Sequence, residues 1–492
     1  MRPLRTLHVA SECAPFAKTG GLGDVVGALP IAQREIGIDA RVVVPLYAGI
    51  DWNALERLPQ TLVVPMPGRT EYAGIRRGYL SNSDVPVYFV DHEGYFDRGG
   101  IYGDRGGDFR DNVRRFAFLS RAAFAIARAE NFLPDIIHAH DWQTALVPAY
   151  VNTAEWGTPF HGVATVLSIH NLGYQGMFPQ GDLEDTGLGW EHFHEGEFNH
   201  RGALNLLKGG LAHATRIAAV SPTYAREIMT PEHGAGLDGF LRHHGRKVTG
   251  ILNGIDQRVW DPSTDRHLPA RFHQHDLSGK RICKASLQRE AGLPERADVP
   301  LFAVVTRLTS QKGMEVLVSI LPQLLQWDIQ LVVLGSGDPT LERAFRIAAH
   351  ARPDRMASFV TFDDALAHRI EAGADFFVMP SRYEPCGMNQ MYSLRYGTLP
   401  IVHRTGGLAD TVWNYREDTG EGTGFVLPHL SADALHGAMG WAAKLYYERR
   451  GAIDHMRWVA MGQDFGWHRA ARRYEQLYLE AYAERRGHWF GG

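Results

Sequence analysis

Apolar residues in this chain fall into short unbroken runs, separated by longer stretches in which they recur at helical spacing. TLHVASE, ARVVVPLY, VPVYFVDH, DIIHAHD, ATVLSIHN and RIAAVSP read as buried strands in the first half, and LFAVVTRL, IQLVVLGSG, FVTFDD, DFFVMPSR and LPIVHRTGG in the second. Runs this short, apolar on both faces, suit a parallel sheet covered on both sides. After the first of them Val25, Leu29, Ala32 and Ile36 recur at helical spacing, and Pro30 inside that pattern predicts a kink. Strands alternating with helices throughout predict an α/β protein.

The alternation fails in one place. ILNGIDQRVWDPSTDRHLPARFHQHDLSGK loses periodicity and gathers Pro, Asp, Ser and His, which puts a domain boundary between about residues 250 and 295. At 492 residues the chain is also too long for one ordinary core. The expected organisation is two Rossmann-like, doubly wound domains, residues 1–255 and 256–470, with the site in a deep cleft between them. The terminal segment GWHRAARRYEQLYLEAYAERRG reads as a long helix, and residues 471–492 are expected to pack back on the first domain.

Composition narrows the class of partner. A formal net charge of −4 gives no reason to expect nucleic acid or an anionic membrane as the main partner. No apolar run approaches the roughly 18 residues needed to span a bilayer. Cys13, Cys283 and Cys386 form no CxxC pair, and no secretory segment is visible, so a reducing, cytoplasmic setting is expected. A monomer and a homo-oligomer are both compatible with these features.

The candidate chemistry sits where strands end. KTGGLGD (18–24) precedes a helix, and its glycines, with Lys18, would let backbone N–H groups approach an anion. A tight βα turn without a ligand would look the same, and GxGxxxG is one residue off the dinucleotide fingerprint. RTGGLAD (404–410) repeats the device after LPIVH, with TVWN placed to begin a helix. RLTSQKG (307–313) puts Arg307 and Lys312 on one loop after a strand, a pattern suited to a phosphate. In SRYEPCGMNQMYSLRYG (381–397) Glu384 precedes Pro385, which favours a non-helical carboxylate ahead of a helix. HAHDWQT (138–144) and SIHNLGYQG (168–176) end two strands of the first half. His138, His140 and Asp141 resemble metal ligands, but no second cluster completes a set and no DxD occurs, so no metal is expected.

KTGGLGD, HAHDWQT, SIHNLGYQG, ILNGID, RLTSQKG, SRYEPCG and RTGGLAD occur in an order that resembles bacterial glycogen synthases and the similar starch synthases, from about residue 5 to about residue 480. The resemblance implies a GT-B glycosyltransferase that moves glucose from ADP-glucose to an α-1,4-glucan with retention, without metal or cofactor. By the same resemblance Lys18, with Gly20, Gly21 and Asp24, contacts the donor, and Arg307 and Lys312 neutralise its diphosphate. Backbone N–H groups around Gly406, Gly407 and Leu408, beside Thr405, hold the same phosphates. Glu384 matches the essential carboxylate, with Cys386 and Gly387 beside it, and His170 the histidine near the transferred glucose. Asp141, Tyr102 and Asn253 match other positions lining the site. Many members of the wider superfamily carry a second glutamate eight positions after the first, where this chain has Tyr392. A transferase using UDP-glucose, a phosphorolytic enzyme with pyridoxal phosphate and a non-catalytic glucan binder are the alternatives.

Overall fold

The computed structural model describes residues 2–104 and 106–487. The chain divides into two compact units, Met1–Gly254 together with Trp467–Gly492, and Ile255–Gly466.

The first unit is built on a nine-stranded sheet. Its strands are β1 (Arg5–Val9), β2 (Asp39–Pro45), β3 (Glu56–Met66), β4 (Arg69–Tyr79), β5 (Pro86–Asp91), β6 (Ile136–His140), β7 (Ala164–Ile169), β8 (Arg216–Ala219) and β9 (Val248–Gly250). They lie in the order β9-β8-β7-β6-β1-β2-β5-β4-β3. All pairs from β9 to β5 are parallel, and β3 and β4 add an antiparallel hairpin at one edge. The hairpin was not expected. In β3 only Leu58, Leu62, Val64 and Met66 are buried, and that interrupted alternation, broken by Pro59 and Pro65, gives little apolar run to read.

The helix Gly21–Glu35 buries Leu22, Val25, Val26, Leu29 and Ala32. It continues past Pro30 to Glu35, so the proline does not end it. Its apolar face meets the C-terminal helix Trp467–Gly487, whose Trp467, Ala470, Ala471, Tyr474 and Tyr478 join the same core cluster.

The second unit has six parallel strands: β10 (Leu301–Val305), β11 (Gln330–Leu334), β12 (Met356–Phe359), β13 (Phe376–Met379), β14 (Leu399–His403) and β15 (Phe425–Leu427). Their order, β12-β11-β10-β13-β14-β15, is that of a Rossmann sheet. FVTFDD is a correction, since the strand ends at Phe359. Asp363 accepts from the Leu366 N–H at 2.8 Å and caps a helix over Asp364–Gly373, which removes the second half of that segment from the sheet. TVWN is another: Thr411 ends the short helix Gly406–Thr411 rather than beginning one.

In both units the order of strands reverses beside the first strand, between β1 and β6 and between β10 and β13. A parallel sheet opens a crevice at its carboxyl edge at such a point.

Candidate active site

In the second unit three loops leave the carboxyl ends of the adjacent strands β10, β13 and β14, and they carry Arg307 to Lys312, Ser381 to Gly387 and Thr405 to Leu408. Arg307 is exposed. Lys312 closes a single 3-10 turn, Ser310–Lys312, and Gly313 follows it at φ +68°. A side chain at Gly313 would collide with the Pro380 carbonyl oxygen, so glycine lets the first loop lie against the second. Lys312 Nζ then donates to Glu384 Oε2 at 2.6 Å, and Ser381 Oγ donates to the same oxygen at 3.0 Å. Glu384 is buried, at 6% exposure. A buried carboxylate with one cation and one hydroxyl on a single oxygen is held in place by those partners.

The third loop supports the second. The Gly407 N–H donates to the Glu384 carbonyl at 3.1 Å. A Cβ at Gly406 (φ +43°) would strike that carbonyl, and one at Gly407 would strike the Cys386 carbonyl. Cys386 is buried, and Gly387, at φ +68°, faces the Gln390 amide. Gln390 Nε2 donates to the carbonyls of Cys386 and Gly387 at 3.1 and 3.0 Å. Thr405 caps the short helix and is buried, as is the Leu408 side chain. In the chain itself the N–H groups of Gly407 and Leu408 donate to the carbonyls of Glu384 and Thr405, and the first of these bonds ties the third loop to the Glu384 loop.

In the first unit the matching loops follow β1, β6 and β7. The expected anion site at KTGG has an internal occupant. Glu12, buried at 3% exposure, accepts from the Thr19 N–H at 2.6 Å, the Thr19 hydroxyl at 2.7 Å and the Gly20 N–H at 3.3 Å. The Tyr102 hydroxyl donates to the same carboxylate at 2.5 Å and meets Ser11 Oγ at 2.9 Å. Tyr102 is thereby joined to the glycine loop, and burial beside Glu12 raises its phenol well above its ordinary value. Lys18 reaches Asp24 at 2.7 Å, in the first turn of the helix, and residues 18–21 are exposed.

Asp141 follows β6 at φ 55°, ψ −170°, a conformation that side chains rarely adopt. The strain turns its carboxylate onto the next strand end, where the His170 N–H donates to it at 2.7 Å. Burial pushes its carboxyl up to about 8, against the N–H groups of His170 and Asn171. Asn253 is buried, and its Oδ1 has no hydrogen-bond partner among the described residues.

The histidines depart from expectation. His8, paired with His138 across β1 and β6, completes a cluster with His138 and His140 whose ligand atoms lie within 4.8 Å of one another. Every ring nitrogen in it is nevertheless engaged. His8 meets Gln33 (2.8 Å) and His140 (3.1 Å), His138 meets Tyr478 and Ser168 (2.7 Å each), and His140 meets His170 (3.0 Å). The cluster is a hydrogen-bonded core.

A family model described as the starch synthase catalytic domain matches residues 5–243, and one described as glycosyl transferases group 1 matches residues 288–454. Glycogen synthase 1 of Geobacter metallireducens is 49% identical over 99% of this chain and 98% of its own length. The glycogen synthase of an Anaeromyxobacter species is 49% identical over 96% of this chain and 99% of its own. The chain belongs to the glycogen synthase family. The catalytic domain of starch synthase IV from Arabidopsis thaliana, solved with ADP and acarbose, superposes with a TM-score of 0.90 at 33% identity, covering 98% of this chain and all of that one. A sucrose-phosphate synthase from Thermosynechococcus elongatus, at 18% identity and a TM-score of 0.60, shares the fold. As a member of the glycogen synthase family the protein is a glucosyltransferase with the GT-B fold.

Within that family member the two similar glycine loops have different tasks, and this predicts different responses to substitution. Gly20 is extended, and a Cβ there meets nothing within 4 Å. Gly20→Ala is expected to leave the melting temperature unchanged. Gly407→Ala drives a methyl into backbone and should cost about 1–3 kcal/mol, with loss of activity as the Glu384 loop shifts. Thermal unfolding of both variants, with activity read alongside, checks this.

Proposed function

We propose that this enzyme transfers glucose from ADP-glucose to the 4-hydroxyl at the non-reducing end of an α-1,4-glucan, with retention of configuration and without metal or cofactor. The observation that carries the reading is the Lys312–Glu384 pair, with exposed Arg307 on the same loop as Lys312, at the point where the strand order reverses. Two cations on one loop match a diphosphate leaving group, and a buried carboxylate beside them suits positive charge growing at the sugar carbon. Lys312 is held by Glu384 when no phosphate is present, and an arriving diphosphate competes for it.

Arg307 and Lys312 then stabilise charge on the departing phosphate oxygen, while the acceptor hydroxyl attacks C1 from the side that ADP vacates and gives its proton to that oxygen. Glu384 supplies no covalent step in this scheme. Lys18, Gly20, Gly21, Asp24, His170, Asp141, Tyr102 and Asn253 are assigned to the substrates by the resemblance. The strained Asp141 and the unmet acceptor on Asn253 are physical features that support substrate contact there. Cys13, Cys283 and Cys386 are buried and form no disulfide among the described residues, in keeping with a reducing cytoplasm.

The test is incorporation of labelled glucose into glycogen from ADP-glucose and from UDP-glucose in parallel, with a chelator present. ADP-dependent elongation that the chelator leaves intact is expected. Preference for UDP-glucose would overturn the donor, and loss of activity with the chelator would overturn metal independence.

A further inference from the structure

The hydrogen-bonded histidines run from the C-terminal helix to His170, and the chain of contacts is unbroken. Gln33 Nε2 donates to the Tyr478 hydroxyl at 2.9 Å, which leaves Gln33 Oε1 facing His8 Nε2 at 2.8 Å as an acceptor. His8 Nδ1 faces His140 Nε2 at 3.1 Å, and His140 Nδ1 faces His170 Nε2 at 3.0 Å. We propose that Gln33, oriented by Tyr478, fixes the tautomer of His170 through His8 and His140, so that the proton sits on Nε2 and Nδ1 is presented as a hydrogen-bond acceptor for a sugar hydroxyl.

The argument is one of proton counting. A neutral imidazole carries one N–H and one lone pair. If Gln33 accepts, His8 carries its proton on Nε2 and must accept at Nδ1. His140 then donates from Nε2 and accepts at Nδ1, and His170 donates from Nε2. Each ring passes on the direction it receives, so the tautomers change all together or not at all. Burial keeps the rings neutral, as this requires: His8 is held down to about 4, His170 to about 3, and His138 and His140 well below their ordinary value. His138 closes the other branch, between the Tyr478 hydroxyl and Ser168 Oγ. Gln33, Tyr478, His8 and His140 are positioning residues, because they act through His170.

The acceptor role rests on the proposed reading that His170 faces the transferred sugar, whereas the relay rests on the geometry alone, and the test separates them. Long-range 1H–15N correlation spectra of the 15N-histidine-labelled enzyme report which nitrogen of each ring is protonated. Nε2–H is expected on His8, His140 and His170. Turning the Gln33 amide would move every proton to the other nitrogen, so Nδ1–H on His170 in the unchanged enzyme overturns the proposal. Gln33→Met removes the terminal acceptor, and Tyr478→Phe, a milder change, removes only the group that orients it. Either should give His170 a mixture of tautomers, and a single unchanged tautomer in both overturns the relay. The same variants should lower kcat/KM for the donor by about tenfold, the worth of one hydrogen bond. If the tautomer shifts and the rate does not, the relay stands and the assignment of His170 to the sugar falls.

Discussion

Glu384→Gln is expected to lose turnover by about 10²–10³-fold while binding ADP at least as tightly as the unchanged enzyme, the scale seen when one preorganised electrostatic partner of a transition state is removed. The split follows from the pair itself. Lys312 Nζ stands 2.6 Å from Glu384 Oε2, so the carboxylate neutralises the cation that a diphosphate would use. The amide releases Lys312 to the phosphates and supplies no charge to the sugar carbon. Lys312→Met should behave differently, with ADP affinity and turnover falling together and Glu384 left without its cation. Calorimetric titration with ADP and steady-state kinetics on both variants check the pattern. Turnover of Glu384→Gln within a few-fold of wild type would remove the carboxylate from the mechanism.

Asp375→Asn is expected to destabilise the second unit by about 3–5 kcal/mol, the usual cost of leaving buried charge without its partner. Asp375 immediately precedes β13 and is buried at 4% exposure. It binds Lys284 (2.7 Å), Arg457 (2.6 Å) and the N–H of Leu301 (2.9 Å). One carboxylate thus joins the start of β10 to two helices, and its loss leaves two buried cations facing an amide. The two cations hold its carboxyl well below the usual range, although burial alone would raise it; burial also draws the Lys284 ammonium down. A depressed folded pKa means that the unfolded chain binds the proton more readily. The stabilisation is therefore complete above the ordinary aspartate value near 4 and is lost as pH falls from there through the lower folded value. Urea unfolding between neutral and acid pH should show this loss in the wild type and a shallower acid limb in Asp375→Asn.

Much of the fold was legible because its signals are local. LFAVV and IQLVVL are apolar without interruption, and such runs have few alternatives to a buried strand. The β3–β4 hairpin, spread over partly buried positions, gave no comparable signal. At the site, Arg307, Lys312 and Glu384 were readable as chemistry at strand ends, and their order along the chain pointed to the family. Glu12 ends the run TLHVASE, past the last strand residue Val9, and carries no signal of its own there. An acidic residue there looks like any loop residue until the turn it accepts from is folded beside it. His8 was equally silent, since a lone histidine inside an apolar strand has no partner within reach of a sequence window.

The sequence by itself determined the alternation of strands and helices, the residue types at the strand ends and the family to which the chain belongs, because periodicity, glycine turns and motif order are properties of neighbouring residues. Only the tertiary structure decided what those residues do to one another. It placed Lys312 on a carboxylate 72 positions away, gave the first glycine loop Glu12 as its internal anion, and set Tyr478 against Gln33 across 445 positions. It also brought the glycines of the second loop against the backbone of the Glu384 loop, where a Cβ would not fit. Such pairings depend on which strands become neighbours in the sheet, and strand order is fixed by packing across the whole domain, which no local window contains.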